Sequence, residues 1–79
     1  MKITLRINFQ GMETEVDGHP KETVSALTSR ALAMLYPEEA APPEENCQLK
    51  LGEETLAKST RLEEADLYNG CLLHMSFKF

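Results

Sequence analysis

Apolar and polar residues alternate one for one at the start of the chain, with Ile3, Leu5, Ile7 and Phe9 on one side and Lys2, Thr4, Arg6 and Asn8 on the other. A period of two is that of a half-buried strand. Gln10-Gly11 then supplies a turn, after which Met12, Thr14 and Val16 alternate with Glu13, Glu15 and Asp17 in a second strand. So short a connection makes the two strands an antiparallel hairpin. Asp17-Gly18-His19-Pro20 ends it.

From Thr23 the period lengthens. Val24, Leu27, Ala31, Met34 and Leu35 fall on one helical stripe, while Ser25, Thr28, Ser29 and Arg30 lie largely off it. Thr23 is the expected N-cap, and because Ala26 stands three residues on there is no capping box. Pro37 stops the helix, since the residue before a proline is pushed out of the helical region. The stretch from Pro37 to Asn46, with three prolines and four glutamates, reads as a loop. Cys47, Leu49 and Leu51 alternate with Gln48 and Lys50 in a third strand that ends at Gly52. Leu56, Leu62 and Leu67 are spaced apolar anchors in an irregular, acidic connection, and Asn69-Gly70 turns the chain into a last alternating strand, Leu73 to Phe79. The order strand, strand, helix, strand, strand predicts one α+β domain over residues 1–79, a sheet packed on one helix.

Composition narrows the function more than the fold. A chain of 79 residues buries only about 60% of the surface its unfolded form exposes, so a deep active-site cleft is not expected. The 42% hydrophobic content argues against disorder. Cys47 and Cys71 have neither the number nor the spacing of a disulfide scaffold or a zinc site and read as two reduced thiols, Cys47 packed in the core and Cys71, beside Gly70, more exposed. No stretch approaches the ~20 apolar residues of a membrane span, and the alternating N-terminus is unlike a signal peptide, so the cytoplasm is the expected compartment. His19 and His74 lack a Cys, Ser or carboxylate at triad or metal-site spacing. Neither catalysis nor a metal or other cofactor is therefore expected.

If the odd positions of the first and last strands face the helix, the open face of the sheet carries Lys2, Arg6, Gln48, Lys50, His74, Ser76 and Lys78. The acidic residues are expected elsewhere, as the loop pairs Glu38-Glu39, Glu44-Glu45, Glu53-Glu54 and Glu63-Glu64, which would let a chain of net charge −5 present a basic surface. Such segregation steers an acidic partner; equally, basic residues on an exposed sheet keep it soluble and discourage edge pairing. Lys2, Arg6, Lys50, His74 and Lys78 are the expected protein-binding residues. Nucleic acid is not an expected partner, because the whole chain is acidic and no aromatic interleaves the basic positions.

The chain resembles ubiquitin and the ubiquitin-like β-grasp family along its whole length. Met1-Lys2-Ile3-Thr4-Leu5 is similar to the family's opening strand, Glu22-Thr23-Val24 to its helix start, and Pro42-Pro43 to its paired prolines. Leu49, Leu51, Leu56, Leu62, Leu67 and Leu73-His74-Met75 fall in register with ubiquitin's apolar anchors. The resemblance implies a mixed sheet of four to five strands packed on one helix, and a role in protein binding without catalysis. Two departures bear on that role. The last strand runs to Phe79 with no diglycine after it, which argues against activation of a flexible tail. Lys50 and Ser76 stand where ubiquitin has isoleucine and valine, each change costing a partner of that apolar patch on the order of 1–3 kcal/mol. Small bacterial proteins associated with type VII secretion are similar in length, Asn-Gly turn and ending, which implies a noncovalent adaptor or accessory factor. The alternative is a covalent ubiquitin-like modifier of a bacterial conjugation system, without its tail. A third is an accessory subunit of a multicomponent oxygenase. Oligomeric state and partner identity are not legible.

Overall fold

The computed structural model describes residues 2–78, so the expected beginning of the first strand at Met1 and end of the last at Phe79 lie outside the described residues. The hairpin forms from β1 (Ile3–Phe9) and β2 (Met12–Gly18), paired antiparallel with Phe9 opposite Met12. Gln10 and Gly11 close it with positive φ values of 51° and 82°, the two-residue turn whose twist matches that of the flanking strands.

The single helix, α1 (Val24–Leu35), starts at the expected cap: the Thr23 hydroxyl accepts from the Ala26 N–H at 3.2 Å. It ends before Pro37, with the Tyr36 N–H donating to the Leu32 carbonyl. Its buried stripe differs from expectation at three residues. Val24, Leu27, Thr28, Ala31 and Leu32 face the core, whereas Met34 is 47% exposed. A stripe that starts at Val24 returns four and eight residues later, which brings in Thr28 and Leu32 and leaves Met34 outside. The Thr28 hydroxyl escapes the cost of burial by donating to the Val24 carbonyl at 2.8 Å.

After a short 3-10 turn at Glu44–Asn46, β3 (Cys47–Leu51) and the two-residue β4 (Glu54–Thr55) form a second hairpin. A second 3-10 turn, Leu62–Glu64, precedes β5 (Leu72–Phe77). The sheet order is β2-β1-β5-β3-β4, with β1 and β5 parallel at the centre and every other pair antiparallel. This is the mixed sheet on one helix that was expected, with five strands because β4 is added after the turn at Gly52.

Odd-numbered residues of β1, β3 and β5 face the helix, whereas in β2 the inward residue is the even-numbered Val16. Leu5, Ile7, Phe9, Cys47, Leu49, Leu73 and Met75 are buried, together with Leu56 and Leu62 from the connection. Phe9 sits edge-on to Phe77 at 5.2 Å and to Tyr36 at 6.5 Å between ring centroids, arrangements that suit the ring quadrupole. Both thiols are unpaired and buried. Cys71 is therefore not the exposed cysteine expected, because the turn before β5 folds it inward: its N–H donates to the Tyr68 carbonyl, and its carbonyl accepts from the Arg6 N–H. Burial pushes the Cys47 thiol up. No helix among the described residues is long and apolar enough to cross a membrane.

Two polar clusters tie the layers together. Arg30 of α1 forms an ion pair with Glu22 and donates to the Asp17 carbonyl at 2.7 Å, fastening the helix to the end of β2. Lys58 donates to both the carboxylate and the carbonyl of Glu44, at 2.5 and 2.7 Å. Glu44 is thus a half-buried partner and not the solvated loop acid its sequence neighbours suggest.

Candidate protein-binding face

The face of the sheet away from α1 is built from even-numbered positions of β1, β3 and β5 and odd-numbered positions of β2. Along β1 it carries Thr4, Arg6 and Asn8; these pair across to Asp17, Glu15 and Glu13 of β2. The acidic residues are therefore not confined to loops, since alternation puts the three carboxylates of β2 on the same open face as the basic residues of β1. Lys2 donates to Asp17 at 3.2 Å, the Thr4 hydroxyl donates to the same carboxylate at 2.9 Å, and Arg6 forms an ion pair with Glu13. The Thr4 hydroxyl, followed by the Lys2 ammonium, holds the Asp17 carboxyl below the usual carboxylate range.

The other half of the face belongs to β5 and β3. His74 lies between Asn8 of β1 and Lys50 of β3, and Ser76 lies opposite Gln48, whose amide donates to the Ser76 hydroxyl at 3.3 Å. Lys50 has no ion-pair partner among the described residues. Lys78 continues the ladder past β5, its N–H donating to the Asn46 carbonyl at 2.8 Å. Its charge reaches Glu44, whose carboxyl is held down chiefly by Lys58.

Of the five residues expected to bind a partner, Arg6, His74 and Lys50 stand on three adjacent strands, while Lys2 and Lys78 stand at opposite ends of the sheet. Two of the five, Lys2 and Arg6, are already paired with carboxylates. Sequence reading missed Leu72. β5 begins one residue earlier than expected, so an apolar residue that is 40% exposed joins this face, opposite Arg6. Extending the alternation back from His74 by two positions would have found it.

Other chemistry is thin. No cluster of three or more His, Cys, Asp or Glu able to hold a metal occurs among the described residues. A surface depression of about 260 Å³, bordered by Glu54, Thr55, Thr60, Glu64 and Asp66, falls below the ~300 Å³ at which small-molecule pockets begin.

The comparisons agree with the architecture. No protein-family model and no curated protein matches the sequence. Among solved structures, the chain is similar to ubiquitin of Caldiarchaeum subterraneum, with a TM-score of 0.82 and 18% identity over 100% of this chain and 96% of that one. A protein designed on the basis of ubiquitin superimposes with a TM-score of 0.83 and 20% identity over 98% and 89% of the two chains. The ubiquitin-like domain of an Arabidopsis thaliana protein gives a TM-score of 0.79 and 23% identity over 99% and 79%. Identities this low carry the fold and leave function to the site itself. The chain has the ubiquitin-like β-grasp fold.

Proposed function

We propose that this protein acts by noncovalent binding to another protein through the β5–β3 half of its open sheet face, as an adaptor or accessory factor. The observation that supports this reading is the distribution of charge across the face. Carboxylates of β2 neutralise Lys2 and Arg6 on one side, and Lys50 beside His74 is left with no acid to answer it on the other. An unanswered cation on a rigid strand, beside polar groups in fixed register, selects an acidic partner and sets its orientation. Lys50 and His74 are the principal contacts in this reading, Lys78 extends them along β5, and Lys2 and Arg6 contribute by holding β2 in register. A setting in bacterial secretion rests on the sequence resemblance.

The test uses N-terminally tagged protein expressed in its source cells. Reversing Lys50 and Lys78 together to Glu is expected to weaken partner binding at least about tenfold, the scale set by losing one or two charged interface contacts, with an unchanged circular dichroism spectrum. Equal binding by the double variant would overturn the reading. Heavier species that survive boiling and thiol on a denaturing gel would overturn it in favour of covalent attachment.

A further inference from the structure

We infer that Leu72 is the apolar anchor of this face, and that the partner presents an acidic segment with one apolar side chain that seats on it; this rests on the binding role proposed above. An exposed leucine taken alone means little, because folded proteins leave much apolar surface in water. Its position is what carries weight. The other large apolar residues exposed among those described are Met12 next to the hairpin turn, Met34 at the end of α1, and Tyr68 in a turn. Leu72 instead stands at the start of β5, an internal strand of the sheet, where its backbone is paired with Arg6 of β1. The turn that leads into it is also pinned: the Gly70 N–H donates to the Thr4 carbonyl at 2.7 Å, and the Thr4 N–H donates to the Asn69 side-chain oxygen at 2.9 Å. A side chain presented from so fixed a backbone loses little freedom on binding, which is what an interface anchor requires.

Charge decides which partner the anchor suits. On the β2 side of Leu72 stand Glu13, Glu15 and Asp17 against Lys2 and Arg6, leaving Glu15 without an ion-pair partner among the described residues. On the β3 side stands Lys50, level with His74 two residues further along β5. The face therefore runs from negative to positive across β1 and β5, with Leu72 at the crossing. An acidic segment is repelled by β2 and drawn towards β3, so it lies along β5 and covers Leu72. A basic segment would be drawn to β2 instead. The negative β2 edge also opposes pairing with a second copy of itself.

Selection from a random peptide display library on the immobilised protein tests this, with the Leu72→Ser and Leu72→Ile variants as comparators. Because Leu72 lies outside the core, both should keep the wild-type unfolding temperature. Enriched peptides should combine Asp or Glu with an aliphatic or aromatic residue, bind the Leu72→Ser variant at least tenfold more weakly, bind the Leu72→Ile variant within about threefold of wild type, and perturb amide resonances of Leu72, His74 and Lys50. Acidic peptides that lose binding to the Lys50 and Lys78 reversal but not to Leu72→Ser would overturn the anchor and leave the proposed function standing. Peptides that map to another surface, or no enrichment, would overturn both.

Discussion

Gly18 closes the end of β2 where three layers meet. A Cβ built there would lie 2.5 Å from Leu62 Cδ1 and 3.5 Å from Leu27 Cδ1, so the absence of a side chain lets the turn at Leu62 and the helix close over the hairpin. Leu62 and Leu27 are themselves fully buried, which limits how far either gives way. Gly18→Ala should therefore lower stability by about 1–3 kcal/mol, the usual cost of overpacking a core, read as a shift of the urea midpoint; an unchanged midpoint would show that Leu62 moves freely. Glu22 and Glu44 act at the same scale through charge. Arg30 holds the Glu22 carboxyl below its ordinary range, and Lys58 does the same for Glu44. A folded-state pKa below the unfolded one adds stability that is present above the ordinary carboxylate range and lost as pH falls through the folded value. Urea midpoints should hold near neutrality and decline below about pH 4.5. The Glu22→Gln, Glu44→Gln double variant should be less stable at pH 7, by about 1 kcal/mol per site, and should show a flatter acid limb.

Each element is only as legible as its period is pure. β1 follows strict alternation and reads directly, down to the two-residue turn at Gln10-Gly11. α1 reads correctly at both ends, because Thr23 caps it and Pro37 forbids its continuation. Its buried face was harder, since Thr28 is polar by type yet belongs to the stripe, while Met34 is apolar and does not. A threonine that can donate to the carbonyl four residues earlier is welcome inside a helix face, and residue type alone does not reveal that. The cap itself can be weighed. Thr23→Ala should cost about 1 kcal/mol in a urea titration, and Thr23→Asn should recover most of it. β4 has two residues and no period, so no sequence pattern announced it.

At the scale of the whole molecule, the parallel pairing of β1 with β5 joins the two ends of the chain at the centre of the sheet. Every other element is arranged around that seam. The amides of β1 and β5 should exchange with deuterium most slowly, close to the global unfolding limit, and those between residues 37 and 43 fastest. Exchange from β2 as slow as from β1 would mean that the hairpin opens only with the whole fold. The seam also organises the charge. It places the acidic β2 on one flank and Lys50 of β3 on the other, which turns a chain of net charge −5 into one with an ordered field across a single face.

The order of the helix and the four longer strands, the helix limits and the inward odd-numbered residues of β1 and β5 were determined by the sequence itself, because period, capping and turn chemistry act between near neighbours. The basic character of Lys2, Arg6, Lys50, His74 and Lys78 was equally plain. What only the tertiary structure decided was which of them remain unanswered. Pairing β2 with β1 brings Asp17 to Lys2 and Glu13 to Arg6, and pairing β5 with β3 leaves Lys50 beside His74. The burial of Cys71, the partnership of Glu44 with Lys58 and the exposure of Leu72 were settled in the same way. Each depends on contacts between residues distant along the chain, and a local pattern carries no record of which strand will come to lie beside which.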